Sequence, residues 1–268
     1  MIELIKYLIL GLIQGFTEPI PVSSSGHLNI FEAILNSNTL SDLNFEIFVN
    51  FGSLIAIVIF FRKDIVTLIK DFFTYIKTKN IKYYNNFKYC LYIIIGTIPA
   101  GIIGVLFKDY IENVLQGVKS IGIALLITAL FLFIIKNIKG KKDDDKITFI
   151  DAFIVGIFQA IALFPGISRS GATIVGGMFR DFKRETAFKF SFMLYIPISL
   201  ATMLLGVKDM METSIDTITW VYYFIGMLAS GIMTYFATKW FNGIMKKGKL
   251  IYFVWYCLIV GTLVIIFL

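Results

Sequence analysis

The stretch LIYFVWYCLIVGTLVIIFL at residues 250–268 runs for nineteen positions without a charged residue. Comparable apolar runs occur at 46–61 and 120–135. At about 1.5 Å per residue, a helix needs roughly 20 apolar residues to cross a hydrocarbon core of about 30 Å. The whole chain is 57% hydrophobic and 16% charged, whereas soluble domains carry roughly 25% charged residues. The sequence therefore predicts a protein solvated by a lipid bilayer.

The formal net charge of +7 does not by itself indicate nucleic-acid binding. The basic residues lie between apolar runs and form no continuous stripe, which is typical of residues that set membrane topology. Cys90 and Cys257 are far apart in apolar surroundings, so we expect neither a disulfide framework nor a zinc site. The first residues show no basic leader or small-residue cleavage site, so we expect no cleaved signal peptide.

The chain repeats itself at a nearly constant spacing. A shift of 145 positions aligns glycine, glutamine and serine residues of the two halves, namely Gly11 with Gly156, Gln14 with Gln159, Ser23 with Ser168, Ser25 with Ser170 and Gly26 with Gly171. A shift of 130 continues the match, with Gly96 on Gly226. We predict a single membrane domain, 1–268, made of two copies of one unit, about 1–138 and 147–268, joined by a basic linker at about 139–146.

Each copy contains three runs long enough to span a bilayer, at about 45–61, 90–107 and 120–136, then 189–206, 220–238 and 250–268. Each copy also opens with an interrupted apolar segment, 3–35 in the first and 148–180 in the second. Pro, Gly and Ser break these helices, which is permitted at membrane depth only where protein or a wet cavity satisfies the freed backbone groups. The pattern predicts a re-entrant helical hairpin in each copy.

The basic residues predict the orientation. Polar loops at 62–88, 136–147, 180–189 and 239–249 hold 20 of the 25 Lys and Arg residues, whereas the other side receives Lys6, Lys108, Lys119 and Lys208. By the positive-inside rule the first set faces the cytoplasm and both termini lie outside. Because each copy crosses the membrane three times, the second copy is inverted. The predicted fold class is an all-α polytopic membrane protein with two inverted-topology repeats.

The two interrupted segments concentrate polar residues in apolar surroundings. The first supplies Gln14, Thr17, Glu18, Ser23, Ser24, Ser25 and His27, and the second supplies Gln159, Ser168, Arg169, Ser170 and Thr173. Gly26 and Gly171, which follow the serines, are further candidates for phosphate binding. Ionisable groups within a membrane are costly and indicate function by default. Inverted repeats place such broken segments face to face near the midplane. We therefore expect these residues to form one site.

Their types and spacing suit a phosphate group. Ser-Ser-Gly and Ser-Arg-Ser-Gly each lead into a short helix, whose first N–H groups and dipole favour an anion. Arg169 adds a planar fork for bidentate phosphate contacts. Ser24 and His27 are three residues apart, which permits a hydroxyl nucleophile with an imidazole base. Glu18 is a candidate to orient His27, to act as the base itself, or to hold a divalent cation.

Simpler structural roles compete with these interpretations. Ser23 and Ser25 are equally well explained as helix caps. Gln159 is better explained as a hydrogen-bond partner of the broken backbone than as a site residue. The Lys-, Tyr- and Asn-rich stretch 75–90 is expected to be a solvated cytoplasmic loop rather than a binding surface for lipid headgroups.

QGFTEPIPVSSSGH at 14–27 and PGISRSGATI at 165–174 resemble the two signature motifs of the bacterial undecaprenyl-diphosphatase family, also called the bacitracin-resistance protein family. The resemblance covers nearly the whole chain. It implies a plasma-membrane phosphatase that hydrolyses undecaprenyl diphosphate to undecaprenyl phosphate and inorganic phosphate. Such an enzyme regenerates the lipid carrier of peptidoglycan synthesis, and its overproduction gives bacitracin resistance.

The motif match also implies roles for individual residues. It assigns the essential glutamate to Glu18, the proposed serine nucleophile to Ser24, the histidine to His27 and the phosphate-binding arginine to Arg169. The flanking polar positions are Ser23, Ser25, Ser168, Ser170 and Thr173. Gln14 occupies a position where the family has Glu or Gln, which argues against a mechanism that needs two carboxylates. The resemblance further implies a site that opens to the outer face and activity supported by a divalent cation, Mg or Ca, without an organic cofactor.

We predict a membrane hydrolase in which Ser24 attacks the terminal phosphorus of a polyprenyl diphosphate. Direct attack by water, with Glu18 or His27 as base and Ser24 as a phosphate ligand, is the alternative chemistry. The alternative function is a transporter or flippase for phosphorylated polyprenyl lipids, because inverted repeats with broken helices are typical of transporters. The expected partners are the lipid substrate and the bilayer, not nucleic acid, and the sequence indicates no oligomeric state.

Overall fold

The computed structural model describes residues 2–35, 43–107, 117–210 and 216–268. Within these ranges the chain forms eleven α-helices and no β-strand. In chain order they are α1 Ile2–Thr17, α2 Ser24–Leu35, α3 Leu43–Phe60, α4 Arg62–Thr78, α5 Tyr84–Leu106, α6 Val118–Ile135, α7 Phe149–Ile161, α8 Arg169–Phe179, α9 Arg184–Met210, α10 Thr217–Lys247 and α11 Ile251–Phe267.

Several of these helices are long and apolar enough to cross a membrane. Among the described residues, α5, α6, α9 and α10 meet this condition individually, and the bent pair α3–α4 raises the number to as many as five. The 17-residue α11 is apolar but slightly shorter. The described chain is therefore a polytopic all-α membrane protein, as predicted. Lys108, one of the residues expected on the outer side, lies outside the described ranges.

Each interrupted segment folds as two helices joined by a short connection, residues 18–23 between α1 and α2 and residues 162–168 between α7 and α8. Proline lacks the backbone donor that a helix interior requires, and Pro19 and Pro21 both lie in the first connection. In the second connection Gly166 has a φ of +88°, a conformation that glycine adopts without steric cost. Helical hairpins are therefore present at the predicted positions, and their re-entrant placement in the membrane stays a prediction.

The first helix of each hairpin packs on a helix from the other half of the chain. α1 lies against α10, where Gly11 faces Gly226, and α7 lies against α5, where Gly156 faces Gly96. At Gly11 and Gly156 the partner backbone approaches so closely that no side-chain carbon would fit. The internal sequence match aligns Gly11 with Gly156 and Gly96 with Gly226. The packing agrees with the predicted repeat, which itself stays a prediction.

A buried aromatic cluster fixes α9 within the protein. Phe182, Phe190 and Phe192 are fully buried. The rings of Phe188 and Phe192 are 4.7 Å apart, and those of Phe182 and Phe190 are 5.8 Å apart in an edge-to-face arrangement. Since Tyr195 follows one turn later on α9, this packing determines where its ring lies.

The prediction of a polar loop at 62–88 is wrong. It consists of α4, whose axis is bent by 73° from α3, a short 3₁₀ turn and the start of α5. Leu68, Phe72 and Tyr75 recur at helical spacing and face α5. There the rings of Phe72 and Tyr75 lie 5.2 and 4.6 Å from that of Phe87. The prediction relied on the charges of this segment and overlooked its helical periodicity.

Candidate active site

The tips of the two hairpins meet at one small cavity of about 80 Å³. It is lined by Glu18, Ser23, Ser24, Ser25, Ala162, Ile167, Ser168, Arg169 and Ser170. Seven of these nine are residues that the sequence predicted for the site. Because α2 begins at Ser24 and α8 at Arg169, two helix N-termini border the cavity and contribute positive dipole ends.

Glu18 makes the central contacts of this cavity. Its Oε1 accepts a hydrogen bond from Arg169 Nη2 at 2.7 Å. Its Oε2 accepts from Ser24 Oγ at 2.5 Å and from Gln14 Nε2 at 2.9 Å. The side chains of Glu18 and Arg169 are 9% and 17% exposed, so water screens this ion pair weakly. One carboxylate thus touches both a hydroxyl and a guanidinium.

Ser24 pairs with Glu18 and not with His27, contrary to the interpretation that three-residue spacing suggested. His27 is 2% exposed and does not line the cavity. Its Nδ1 lies 2.8 Å from the carbonyl oxygen of Ser23, and its Nε2 lies 2.7 Å from the Tyr256 hydroxyl. A carbonyl only accepts, so Nδ1 carries a proton, and in the neutral ring Nε2 accepts from Tyr256. Both ring nitrogens of His27 are occupied, and the titratable group that contacts Ser24 is Glu18.

His27 instead holds the turn that precedes Ser24. Ser23 has a φ of +68°, which residues other than glycine seldom adopt. The carbonyl of Ser23 faces both the backbone N–H of His27, at 3.1 Å, and its ring Nδ1. The Ser23 hydroxyl accepts from the backbone N–H of Gly26 at 3.2 Å and caps α2. Tyr256 also stacks on the imidazole, with ring centres 5.5 Å apart.

Arg169 is held on two sides. Its guanidinium carbon lies 3.9 Å from the centre of the Tyr195 ring, a cation–π contact, and its Nη2 is bonded to Glu18. Its Nη1 is buried and has no hydrogen-bond partner among the described residues. A buried donor without a partner is costly, so Nη1 retains an unused capacity to donate a hydrogen bond.

The serines beside Arg169 join the two hairpins. Ser170 Oγ donates to the carbonyl of Ile20 at 3.1 Å and lies 3.3 Å from Ser168 Oγ. Ser168 Oγ also accepts from the backbone N–H of Gly171 at 3.1 Å, which caps α8. These serines therefore position the second helix N-terminus against the first connection.

Other predicted residues support the cavity from behind. Thr173 Oγ1 lies 2.6 Å from Ser191 Oγ and bonds the carbonyl of Arg169, so it holds α8 in place. Thr17 Oγ1 donates to the carbonyl of Ile13 within α1. A Cβ added to Gly171 would lie 3.2 Å from Pro21, and one added to Gly26 would lie 2.9 Å from Ile121. Packing against the first hairpin therefore explains Gly171, and packing against α6 explains Gly26.

The two glutamines at matching repeat positions differ in their surroundings. Gln14 Nε2 donates to Glu18 and also to Asn50 Oδ1 at 2.6 Å. Gln159 is 1% exposed, and neither atom of its side-chain amide has a partner in the described part of the chain. The expectation that Gln159 hydrogen-bonds the broken backbone is therefore wrong. The helix is broken at residues 162–168, but the Gln159 amide forms no hydrogen bond with the carbonyls there.

Three residues of the site were missed by sequence reasoning, namely Asn50, Tyr195 and Tyr256. Asn50 is a polar residue within the apolar run 46–61, a signal that could have identified it. Tyr195 lies 145 positions after Asn50, which is the spacing of the repeat. Tyr256 lies among other aromatic residues of an uncharged run, and nothing in the sequence distinguishes it.

The described residues do not fit a resident metal centre. No group of three or more His, Cys, Asp and Glu side chains in these ranges is arranged to hold an ion. Glu18 is the single carboxylate that lines the cavity, and both its oxygens already accept hydrogen bonds from protein groups. The protein alone therefore offers an incomplete set of cation ligands here.

Comparison with known proteins matches the whole chain. A family model described as bacitracin resistance protein BacA matches residues 7–263. Undecaprenyl-diphosphatase 2 of Bacillus thuringiensis (strain Al Hakam) is 51% identical over 266 residues, which cover 99% of this chain and 98% of that protein. Undecaprenyl-diphosphatase 1 of Bacillus licheniformis is 48% identical over 265 residues, 98% of each chain. Undecaprenyl-diphosphatase of Oceanobacillus iheyensis is 44% identical, with 99% and 97% covered. The resemblance seen in the two motifs is thus confirmed over the full length, and the chain belongs to the bacitracin resistance protein BacA family.

Proposed function

We propose that this protein is an integral-membrane phosphatase that hydrolyses undecaprenyl diphosphate to undecaprenyl phosphate and inorganic phosphate. One observation carries the proposal, namely that Glu18 binds the Ser24 hydroxyl and the Arg169 guanidinium at once, beside two helix N-termini. The substrate is supported by relatives between 44% and 51% identical, whose names all specify undecaprenyl diphosphatase activity. Recycling of this lipid also accounts for bacitracin resistance in the family name.

In the first step Ser24 attacks the terminal phosphorus. Its proton passes to Oε2 of Glu18, 2.5 Å away, as the bond between Oγ and phosphorus forms. The bond between that phosphorus and the bridging oxygen breaks. The bridging oxygen departs with undecaprenyl phosphate, and Glu18 can return the proton to this leaving group.

In the second step water attacks the phosphoserine. Glu18 takes a proton from this water and passes it to Ser24 Oγ as the phosphorus–Oγ bond breaks. Inorganic phosphate then leaves, and Ser24 and Glu18 regain their starting protonation states. The overall reaction consumes one water molecule.

Arg169 and the two helix N-termini stabilise the charge that develops on the phosphoryl oxygens. Because Nη2 is bonded to Glu18, the unpartnered Nη1 is the donor offered to substrate. Tyr195 lies against the guanidinium face and fixes its plane. Tyr256 and His27 do not contact the substrate. They hold the turn at Ser23 and thereby orient the Ser24 hydroxyl.

Two alternatives use parts of the same site. Direct attack by water would keep Glu18 as base and make Ser24 a phosphate ligand. A transporter or flippase for phosphorylated polyprenyl lipids would use the Arg169 side of the cavity but has no need of the hydrogen bond between Ser24 and Glu18. This contact favours hydrolysis through serine.

A divalent cation that supports activity would be held chiefly by the diphosphate itself. The described site residues supply one carboxylate with both oxygens engaged, so they favour a cation that arrives with the substrate. Magnesium is commonly held in this manner, by few carboxylates and several phosphate oxygens.

The orientation rests on the basic connections. We place the Lys- and Arg-rich segments, 20 of 25 such residues, at the cytoplasmic face of a bacterial plasma membrane, both termini outside, and the cavity open to the outer leaflet. A membrane-impermeant thiol reagent tests this on intact cells. A cysteine added after Leu268 should react directly, whereas Lys79→Cys should react only after permeabilisation.

Phosphate release from a polyprenyl diphosphate by the protein purified in detergent tests the hydrolase directly, because transport is not observable there. The wild-type protein should release phosphate with divalent cation present, and a complete lack of release would overturn the proposal. With a labelled terminal phosphate, acid quenching should trap phosphoserine at Ser24. Ser24→Ala should lose activity by at least about a thousandfold.

Ser25→Ala is the matched control, since Ser25 lines the same cavity one residue later. It should weaken substrate binding yet still trap label on Ser24. If Ser24→Ala retains more than about a tenth of the activity and no phosphoserine is found, water is the nucleophile and the serine mechanism fails.

A further inference from the structure

The outer face of α4 carries an apolar stripe that no described part of the chain covers. Val66, Ile69, Phe73 and Ile76 are 63%, 54%, 57% and 45% exposed. They follow one another at spacings of three and four residues, so they lie in one line along the helix. The inner face, in contrast, packs on α5 and buries Leu68.

A row of lysines runs beside this stripe. Lys63, Lys70 and Lys77 are exposed and recur every seven residues, which places them along the same side of the helix. None of the three forms an ion pair within the described part of the chain. α4 therefore presents an apolar stripe with a cationic edge, the combination that is typical of interfacial helices.

α4 begins directly at the end of the apolar helix α3. α3 is an apolar helix, and α4 leaves its end at an angle of 73°. The inner face of α4 contacts the part of α5 that precedes its long apolar run. Asn86 bonds Asp71 there at 2.6 Å, and the Cys90 thiol approaches the carbonyl of Leu68. α4 thus begins at the residue where the charged part of the chain follows the apolar helix α3.

We propose that α4 is an interfacial helix that binds a membrane surface containing anionic phospholipid. Its apolar stripe enters the boundary between headgroups and acyl chains, and Lys63, Lys70 and Lys77 lie against lipid phosphates. This assignment is independent of the proposed phosphatase activity, because α4 contributes no residue to the cavity at Glu18.

The charge pattern favours a lipid surface over a protein partner. A protein-binding helix face is usually depleted of lysine at its centre and edge, whereas anionic headgroups attract each nearby lysine. The preceding helix α3 also exposes apolar side chains, and its Ile55 and Ile59 are 40% and 48% exposed. One lipid phase can therefore cover both surfaces.

Fluorescent labelling in lipid nanodiscs tests the location of the stripe. An environment-sensitive fluorophore is attached to Phe73→Cys or to the control Thr67→Cys, in full-length protein in which Cys90 and Cys257 are replaced by alanine. Thr67 is also exposed but follows Val66 by about 100° around the helix. Phospholipids brominated on their acyl chains should quench the label at 73 at least about threefold more than the label at 67, and iodide should do the reverse.

A second arm tests the headgroup. In nanodiscs with one quarter phosphatidylglycerol, brominated phosphatidylglycerol should quench the label at 73 about twofold to fivefold more than equal brominated phosphatidylcholine. The triple variant Lys63→Gln, Lys70→Gln and Lys77→Gln should abolish this preference but keep quenching by brominated phosphatidylcholine.

Three outcomes would overturn the proposal. Strong iodide quenching at 73 would show a solvated helix. Protection from both iodide and brominated lipid would show that protein covers the stripe. Equal quenching by brominated phosphatidylglycerol and phosphatidylcholine, unchanged in the triple variant, would show that α4 does not bind anionic headgroups.

Discussion

The two hairpins share a backbone plan but divide the chemistry between them. The shift of 145 that aligns Ser23 with Ser168 also places Ser24 on Arg169, and each of these two residues touches one oxygen of Glu18. The first hairpin supplies the acidic group and the hydroxyl, whereas the second supplies the permanent positive charge. Two positions that the sequence match aligns thus carry different side chains, and both contact Glu18.

The residues behind each hairpin tip differ in the same manner. Asn50 on α3 holds Gln14, which bonds Glu18, and Tyr195 at the matching position of α9 stacks on Arg169. The first hairpin is therefore connected to α3 by directional hydrogen bonds that end on Glu18. The second offers an aromatic face and an unpartnered guanidinium nitrogen suited to an anion.

The largest effect should come from the charge on the second hairpin. Arg169→Lys keeps the charge but loses the planar fork, so one group cannot hold Glu18, stack on Tyr195 and donate to phosphate together. We expect kcat/KM for phosphate release to fall by about a thousandfold. A loss below tenfold would show that a point charge suffices and that the planar geometry of Arg169 is not used.

The next effect concerns the first hairpin. Gln14→Leu removes a hydrogen bond to Glu18 and leaves Asn50 without its amide partner. We expect kcat to fall by about a hundredfold with KM little changed, because Gln14 positions the base and not the substrate. The kinetics are measured as phosphate release in detergent. An increase in KM at constant kcat would instead assign Gln14 to substrate binding.

These contacts show what a sequence can and cannot specify. The apolar runs and broken segments predicted the helices and both hairpins, since the periodicity and helix breakers are local properties. The convergence of Glu18, Ser24 and Arg169 followed from the repeat. The orientation of the His27 ring could not be predicted in this way, because it depends on a hydrogen bond with Tyr256, 229 residues away in sequence. The missing partners of Gln159 depend likewise on packing between distant helices.

The starts of the hairpins offer a third contrast. α7 begins with a capping box formed by Thr148 and Asp151. Asp151 is fully buried and bonds both Lys142 and Arg180 at 2.8 Å. α1 has instead an exposed pair between Glu3 and Lys6 at 3.1 Å. The second hairpin should therefore be anchored more strongly at its entry.

Asp151→Asn should lower the free energy of unfolding at neutral pH by about 2–3 kcal/mol, and Glu3→Gln by less than about 0.5 kcal/mol. Burial raises the pKa of Asp151, but hydrogen bonds from Lys142 and Arg180 outweigh it and hold this pKa below its usual value. Its contribution is complete above the unfolded pKa of about 4 and is lost as pH falls through the folded pKa.

Unfolding of both variants in mixed micelles, followed from pH 7 to pH 3, checks this expectation. The difference between wild type and Asp151→Asn should shrink in the acidic range. A difference that stays constant to the lowest pH would show that packing, and not the charge of Asp151, anchors α7.

A smaller effect on kcat is expected from removal of the Tyr256 hydroxyl, which contacts His27. Tyr256→Phe removes the donor to Nε2 but keeps the stacked ring. Because His27 positions Ser23 and does not accept the Ser24 proton, kcat should fall by about tenfold while the pH profile keeps its shape. A shift of a kinetic ionisation to higher pH would instead identify His27 as the base, because Tyr256 donates to Nε2 only when the ring is neutral.

The smallest effect should separate the two glutamines. Gln159→Leu replaces a buried amide that has no partner in the described residues by an apolar side chain of similar size. Since an unsatisfied buried amide is destabilising, the variant should gain up to about 1 kcal/mol of stability and keep its phosphatase activity. Thermal unfolding in detergent measures the gain, with Gln14→Leu as the matched variant at the equivalent position. If Gln159→Leu loses stability or activity, the second hairpin uses its glutamine as the first does, and the division of chemistry between the hairpins is less complete than their contacts indicate.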